Sequence, residues 1–233
     1  MKTNAYSIVY SGLAPEPYYA AAASETEILW AAASGNEAGG PTNVIRNLEK
    51  LAEQNPTLTE EDLTQFFAEA QSVLQSKKMA VSAAGAFSDG ETLHPFNIGS
   101  ARVLVFKDGY LTAHSDDHTT AYEAYKTQDT EDLAAYDAIR SLSTAQTLRR
   151  WIGLSEDTPV QFYPPVVPER GTTMLICTDN FWRFLSIMEM ELDYRKAANT
   201  ENWLKIMARR VLMNAGSELD NQNFAAIAVT WEE

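Results

Sequence analysis

The chain has 233 residues, 45% apolar and 21% charged, with five Trp, nine Phe and ten Tyr, which is enough to bury the core of one large domain over residues 1–233. Eighteen Lys and Arg stand against 32 Asp and Glu, a formal charge of −14, and such a surface repels phosphate backbones and anionic lipid, so neither nucleic acid nor a membrane is an expected partner. The one cysteine, Cys177, excludes an intrachain disulfide and a cysteine-based zinc site, and no apolar run approaches the roughly 18 residues of a membrane helix. Residues 5–14 are only weakly apolar and end at Pro15, so they do not read as a secretory signal, and a reducing, cytoplasmic setting is expected.

In chain order, short extended segments are predicted at 5–11, 18–23 and 27–33, each bounded by Gly, Pro or Ser. Pro41 opens a helix with Val44, Ile45, Leu48 and Leu51 at helical spacing. Thr59-Glu60-Glu61-Asp62 resembles a capping box for a second helix, whose stripe is Leu63, Phe66, Phe67, Ala70, Val73 and Leu74. Strand texture follows at 79–87, 92–98, 101–106 and 110–114, with Asp108-Gly109 as a hairpin turn. A polar helical stretch is expected from Thr119 to about Gly153, with Leu133, Tyr136, Ile139 and Leu142 on one side. Then come a strand at 160–163, a link through Pro164, Pro165 and Pro168, and an apolar strand at 173–178. Thr200 is expected to cap a long helix that buries Trp203, Ile206, Met207, Val211 and Leu212 and stops at Gly216. Residues 224–231 form the last strand. Meandering strands with paired helices make an α+β pattern.

Asp179-Asn180 follows the buried-looking strand and precedes a short helix beginning Phe181-Trp182, so Asp179 reads first as a helix cap and second as a cation ligand. Asp220-Asn221, between Gly216 and the last strand, reads first as a turn.

Taken in order, these pieces resemble the metal-dependent serine/threonine phosphatases of the protein phosphatase 2C type. Thr178-Asp179-Asn180-Phe181-Trp182 matches that family's Thr-Asp-Gly strand end. The segment Gly216-Ser217-Glu218-Leu219-Asp220-Asn221-Gln222-Asn223-Phe224 resembles its Gly-x-x-Asp-Asn-x-Thr. Asn97-Ile98-Gly99-Ser100-Ala101-Arg102-Val103 looks like its Asn-Val-Gly-Asp-Ser-Arg strand, and Ser115-Asp116-Asp117-His118-Thr119 like its Thr-x-Asp-His-Ser element. The resemblance implies an αββα sandwich of two antiparallel sheets flanked by helices. It also implies Mn²⁺ or Mg²⁺ at one end of the sandwich, where paired cations share a hydroxide that attacks a phosphoryl group. By the same resemblance Asp179 and Asp220 are metal ligands and Gly35 offers a carbonyl. The compact chain, without the insertions of eukaryotic members, suggests a bacterial setting.

The departures from the pattern are concentrated in the metal cage. Ser34 stands where the family has its bridging aspartate, Ser100 where it has the aspartate of a third metal, and residues 12–19 contain no Arg to grip phosphate. The leading expectation is therefore a degenerate phosphatase fold, possessing no assignable catalytic residue, binding little or no metal, and serving as a binding or regulatory module for a phosphorylated protein or a cognate kinase. The alternative is an active Mn²⁺- or Mg²⁺-dependent phosphoserine/phosphothreonine phosphatase whose cage is completed by Glu37 or another carboxylate; a single-metal hydrolase of another phosphoester comes third. Glu37 otherwise reads as a solvated loop charge and His118 as a turn or packing residue, while His94 and His114 carry no motif. Cys177 reads as a small buried hydrophobe, the Arg149-Arg150 and Arg209-Arg210 pairs as helix surface charges, and Met188, Met190, Met207 and Met213 as core.

Overall fold

The computed structural model describes residues 2–10, 12, 20–23, 28–37, 39–128, 132–154, 158–219 and 223–232. Its elements run β1 (Lys2–Tyr10), β2 (Ala20–Ala23), β3 (Leu29–Gly35), α1 (Gly40–Gln54), α2 (Glu60–Ser76), β4 (Val81–Ser88), β5 (Leu93–Ile98), β6 (Arg102–Lys107), β7 (Tyr110–His114), α3 (Thr120–Lys126), α4 (Leu133–Ala138), β8 (Gln161–Phe162), β9 (Thr172–Cys177), α5 (Asp179–Trp182), α6 (Ile187–Lys196), α7 (Thr200–Ala215) and β10 (Phe224–Glu232). Two five-stranded sheets form, in the orders β1-β10-β9-β6-β7 and β2-β3-β4-β5-β8. Every neighbouring pair within them is antiparallel.

Strand alternation divides the buried side chains into three layers. Between the sheets lie Trp30, Ala32, Ala84, Ala86, Val103, Val105, Met174, Ile176, Ala225, Ile227, Val229 and Trp231. Trp30 of β3 and Trp231 of β10 meet there edge to face, 5.8 Å between ring centroids and 81° between planes. The opposite face of the β3 sheet, with Ala31, Ala33, Phe87 and Phe96, packs on Val44, Ile45 and Leu48 of α1 and on Leu63, Phe67 and Leu74 of α2. The outer face of the β10 sheet, with Leu104, Phe106, Leu175, Cys177, Ala226 and Ala228, packs on Met190 of α6, on Trp203, Met207 and Val211 of α7, and on the tyrosines of α3 and α4. Three layers of core between four layers of backbone make the αββα sandwich.

Helix α2 begins as its sequence requires. The Thr59 side chain accepts from the Asp62 N–H at 3.2 Å, while Asp62 accepts from the Thr59 N–H at 2.9 Å. In α7 the cap is Asn199, one residue before the expected Thr200; Asn199 Oδ1 accepts from Asn202 N–H at 2.8 Å, and the buried Thr200 hydroxyl donates instead to Thr230. The expected helix over 119–153 resolves into α3, α4 and two 3-10 turns, with Tyr136 and Ile139 buried but Leu133 and Leu142 exposed. Val73, Leu212, Met188 and Met213 also face outward. Arg149 and Arg150 lie beyond the second of those turns and outside any helix, and Arg149 pairs with Glu123 at 3.2 Å. Arg210 is drawn into a two-toothed ion pair with the fully buried Asp193 of α6, at 2.7 and 2.6 Å. Among the described residues no helix is long and apolar enough to cross a membrane.

Candidate functional site

The inward series of β3, Trp30 and Ala32, continues to Ser34, which is 5% exposed. The inward series of β9, Met174 and Ile176, runs out at Thr178 and Asp179. The two series converge at one end of the inter-sheet space, where the Ser34 hydroxyl lies near enough to the Asp179 carboxylate to favour its ionised form. Asp179 is the first residue of α5 and not its cap. That place belongs to Thr178, whose hydroxyl donates to the Ala225 carbonyl at 3.3 Å and accepts from Ala225 N–H at 3.0 Å. The Asn180 amide donates to the Asn223 carbonyl at 3.1 Å and clamps α5 to the start of β10.

Asp179 Oδ1 is buried and meets no donor among the described residues. Burial pushes the carboxyl's pKa up, opposed by the Asn180 N–H, by the charge of Arg183 and by the Ser34 hydroxyl. A buried lone pair with no hydrogen in reach is satisfied by a proton or a cation. Apart from Arg183, the polar side chains beside it among the described residues are neutral hydroxyls. Ser34 lies opposite Ser82 in the β3–β4 register; the Ser82 oxygen accepts from Ser100 N–H at 3.2 Å and lies 3.4 Å from the Ser100 hydroxyl. The two positions at which the resemblance expects carboxylates are thus joined by a third serine.

A rigid frame backs this row. Gly99 has φ +95°, and a Cβ there would overlap Ser82, so the turn needs glycine. Gly99 N–H donates to His118 Nδ1 at 3.0 Å, and His118 Nε2–H donates to Gln161 Oε1 at 2.8 Å. Both ring nitrogens are used by a neutral imidazole, and burial lowers its pKa, so His118 is the packing residue expected and no general acid. Arg102, 2% exposed, grips Asp117 through two bonds of 2.7 and 2.5 Å. Its guanidinium lies 3.4 Å from the Trp182 ring centroid and 4.6 Å from that of Tyr136. The Trp182 indole N–H donates to the Ser100 carbonyl at 2.8 Å. Cys177 is buried with its thiol pKa pushed up, which suits packing and not nucleophilic attack.

Of the other candidates, Gly35 closes β3 opposite Val81. Glu37 is exposed in the turn that follows, its carbonyl accepting from Gly40 N–H at 3.4 Å. Asp220 and residues 13–19 lie outside the described residues. Among the described residues no group of three or more His, Cys, Asp or Glu side chains converges as a metal site. Among the described residues the site holds one carboxylate, Asp179, beside a row of neutral hydroxyls, and a cage for two divalent cations needs several anions. Two participants escaped sequence reasoning. Ser82 shows itself only as a polar residue on the inward face of an apolar strand, and Arg183 only as the residue one helical turn after Asp179.

No protein-family model matches the chain, and no curated protein sequence does. Solved structures do match over its full length. The Mycobacterium tuberculosis serine/threonine phosphatase PstP/Ppp aligns with TM-score 0.81 at 16% identity over 99% of both chains. The catalytic domain of serine/threonine protein phosphatase PstP in complex with two manganese ions gives 0.78 at 15% over 99% of each. Serine/threonine phosphatase Stp1 of Staphylococcus aureus gives 0.78 at 13%, covering 100% of this chain and 96% of the other. At such identities the likeness is one of fold, and the fold is that of these phosphatases.

Proposed function

We propose that this chain, which carries the fold of metal-dependent serine/threonine phosphatases, is a divergent relative with a decayed metal cage, acting in the cytoplasm as a one-domain binding or regulatory module for a phosphorylated protein or a cognate kinase. The observation that carries the reading is the neutral Ser34 hydroxyl beside the Asp179 carboxylate, at the position the sequence resemblance gives to a bridging aspartate. Phosphoester hydrolysis of this type needs two cations to lower the pKa of a shared water and to neutralise the phosphoryl oxygens. A hydroxyl contributes no charge toward holding them. The row Ser34, Ser82 and Ser100 is therefore built to be stable without an ion, and the frame of Gly99, Arg102, Asp117 and His118 retains its shape around it.

A second reading has one observation in its favour: Asp179 Oδ1, buried without a donor among the described residues, is a place for a cation. On that reading Asp220 and Glu37 complete a rebuilt cage and the chain is an active Mn²⁺- or Mg²⁺-dependent phosphatase. The test is turnover of a phosphothreonine peptide by the purified protein with millimolar Mn²⁺ or Mg²⁺. The proposal expects no release of phosphate above that of the Asp179→Asn variant. Robust turnover abolished in that variant would overturn it and put the second reading first.

A further inference from the structure

The proline-rich link after β8 is tied to the sandwich at residues three apart. Tyr163 N–H donates to the Pro95 carbonyl at 3.0 Å, and its hydroxyl donates to Asn97 Oδ1 at 2.8 Å. Three residues on, Val166 exchanges two backbone bonds with Leu93, of 2.8 and 2.9 Å, and its side chain packs on the core between the sheets. Lys107 holds the far end through the Glu169 carboxylate and the Arg170 carbonyl, both at 2.8 Å. The remaining residues face outward: Pro164, Pro165 and Val167 are exposed, Val167 by 66%, and Pro168 is half-exposed. A proline fixes its own φ at about −65° and biases the residue before it to an extended conformation. Through Pro164, Pro165 and Pro168 that covers every residue of 163–168 except Val166, which its pairing with Leu93 extends. An extended chain repeating at about three residues per turn is a polyproline II helix. One of its three faces, Tyr163 with Val166, lies on the protein; the other two, Pro164 with Val167 and Pro165 with Pro168, are turned to solvent.

We propose that this strip is a docking site for a partner domain that carries an aromatic-lined groove for polyproline II helices. Such a groove takes the two outer faces of Pro-x-x-Pro as successive Xaa-Pro pairs, and the third face points away from it. Here the pairs are Pro164-Pro165 and Val167-Pro168, and the third face is the one that the sandwich already holds, so docking displaces nothing. The carbonyls of Pro164, Pro165 and Val167 accept no hydrogen bond among the described residues and are left for donors in the groove. Arg170, exposed two residues beyond Pro168, adds a cation at one end and sets the direction in which a groove with an acidic end binds. Because the fold orders the strip beforehand, little backbone freedom is lost on binding, which favours the folded chain over the free segment. The strip lies against Leu93 and Pro95 at the start of β5, whereas Ser100 follows its end, so this contact is separate from the serine row and independent of whether the cage holds metal.

The probe is a Src homology 3 domain that takes Pro-x-x-Pro-x-Arg ligands, titrated by calorimetry into the whole chain and into a free peptide of residues 163–170. The expected result is binding to both, tighter for the whole chain, with amide NMR shifts of the whole chain centred on Val166, Val167, Glu169 and Arg170. Val167→Glu and Pro168→Ala should each weaken binding about tenfold or more, the scale of a lost anchor residue. Val167 is exposed, so Val167→Glu should melt with the unaltered chain; if Pro168→Ala unfolds by circular dichroism, Val167→Glu is judged alone. Binding to the peptide with weaker or no binding to the folded chain overturns the proposal, as does binding to neither. Shifts centred away from residues 163–170, or an unchanged affinity in Val167→Glu, overturn it as well. Neither metal nor turnover enters the measurement, so its failure would leave the incomplete-cage reading untouched, and turnover by the chain would leave the strip untouched.

Discussion

Arg102 and Asp117 are both withdrawn from water, with side-chain exposures of 2% and 0%, and each is the other's compensation. Desolvation opposes the arginine's charge, and the adjacent carboxylate more than offsets it, so the guanidinium pKa is raised. Removing one partner leaves the other charge buried and unpaired. Asp117→Asn should therefore cost about 3–5 kcal/mol of unfolding free energy, read by urea denaturation. The double change Arg102→Leu with Asp117→Leu should cost less than Asp117→Asn alone; a larger loss would mean that the pair's net attraction, and not the penalty of orphaning a charge, is what the fold uses. The resemblance in the sequence pointed to Arg102, Asp117 and His118 as framework, because their residue types match the family's pattern although Ser100 departs from it. Ser82 and Arg183 were not legible in the same way, since their importance depends on strand register and on which face of a short helix turns toward Ser34.

Elements show a comparable division. The hairpin between β6 and β7 was legible from Asp108-Gly109 alone, and both residues adopt positive φ, 51° and 82°, as a tight hairpin turn demands. A Cβ on Gly109 would overlap the Tyr194 ring of α6. Gly109→Ala should thus destabilise twice, through backbone strain and through displacement of Tyr194, by roughly 1–3 kcal/mol. A loss within a few tenths of Thr59→Ala, whose missing cap should cost about 1 kcal/mol, would show that Tyr194 yields freely. Helix α6 itself was not separated from its neighbours in the sequence, although Ser186 and Glu189 form a reciprocal capping box. Its apolar stripe is short, with Ile187 and Met190 inward and Met188 and Leu192 outward, so the periodicity is weak and the cap is the only clear signal.

For the molecule as a whole, the α+β class was legible from the order of strands and helices, and the sandwich only through the resemblance. Strands such as β10, Phe-Ala-Ala-Ile-Ala-Val-Thr-Trp-Glu, are buried on both faces and show no alternation from which to read a sheet's inner side. Sheet order is also set by distant pairings, among them Lys2 with Glu232. Global stability should depend on pH through groups whose proton affinity the fold shifts. His114 and His118 are both depressed below 6.5 by burial, so the unfolded chain binds more protons than the folded one as pH falls past 6.5. Their contribution is complete above that value and is lost on acidification, by at most about 1.4 kcal/mol per pH unit for each group. Asp89 and Asp116, both depressed, add the same trend at lower pH, and Asp179, raised by burial, works in the opposite direction. Urea unfolding at pH 7.5, 6.0 and 5.0 should show falling stability, with a shallower fall in His114→Phe, which keeps an aromatic ring on Tyr136. Stability that is flat or rising toward pH 5 would contradict this.

The Trp30–Trp231 pair has an optical consequence. One indole belongs to each sheet, and at 5.8 Å and 81° their electronic transitions couple and split, giving a circular dichroism couplet of paired positive and negative lobes. Neither sheet alone holds two such chromophores in contact. The couplet therefore reports the closing of one sheet over the other, separately from strand formation, and a stopped-flow dichroism trace at its two extrema would time that event without any added label. In Trp231→Phe the couplet should vanish while the far-ultraviolet strand signal remains.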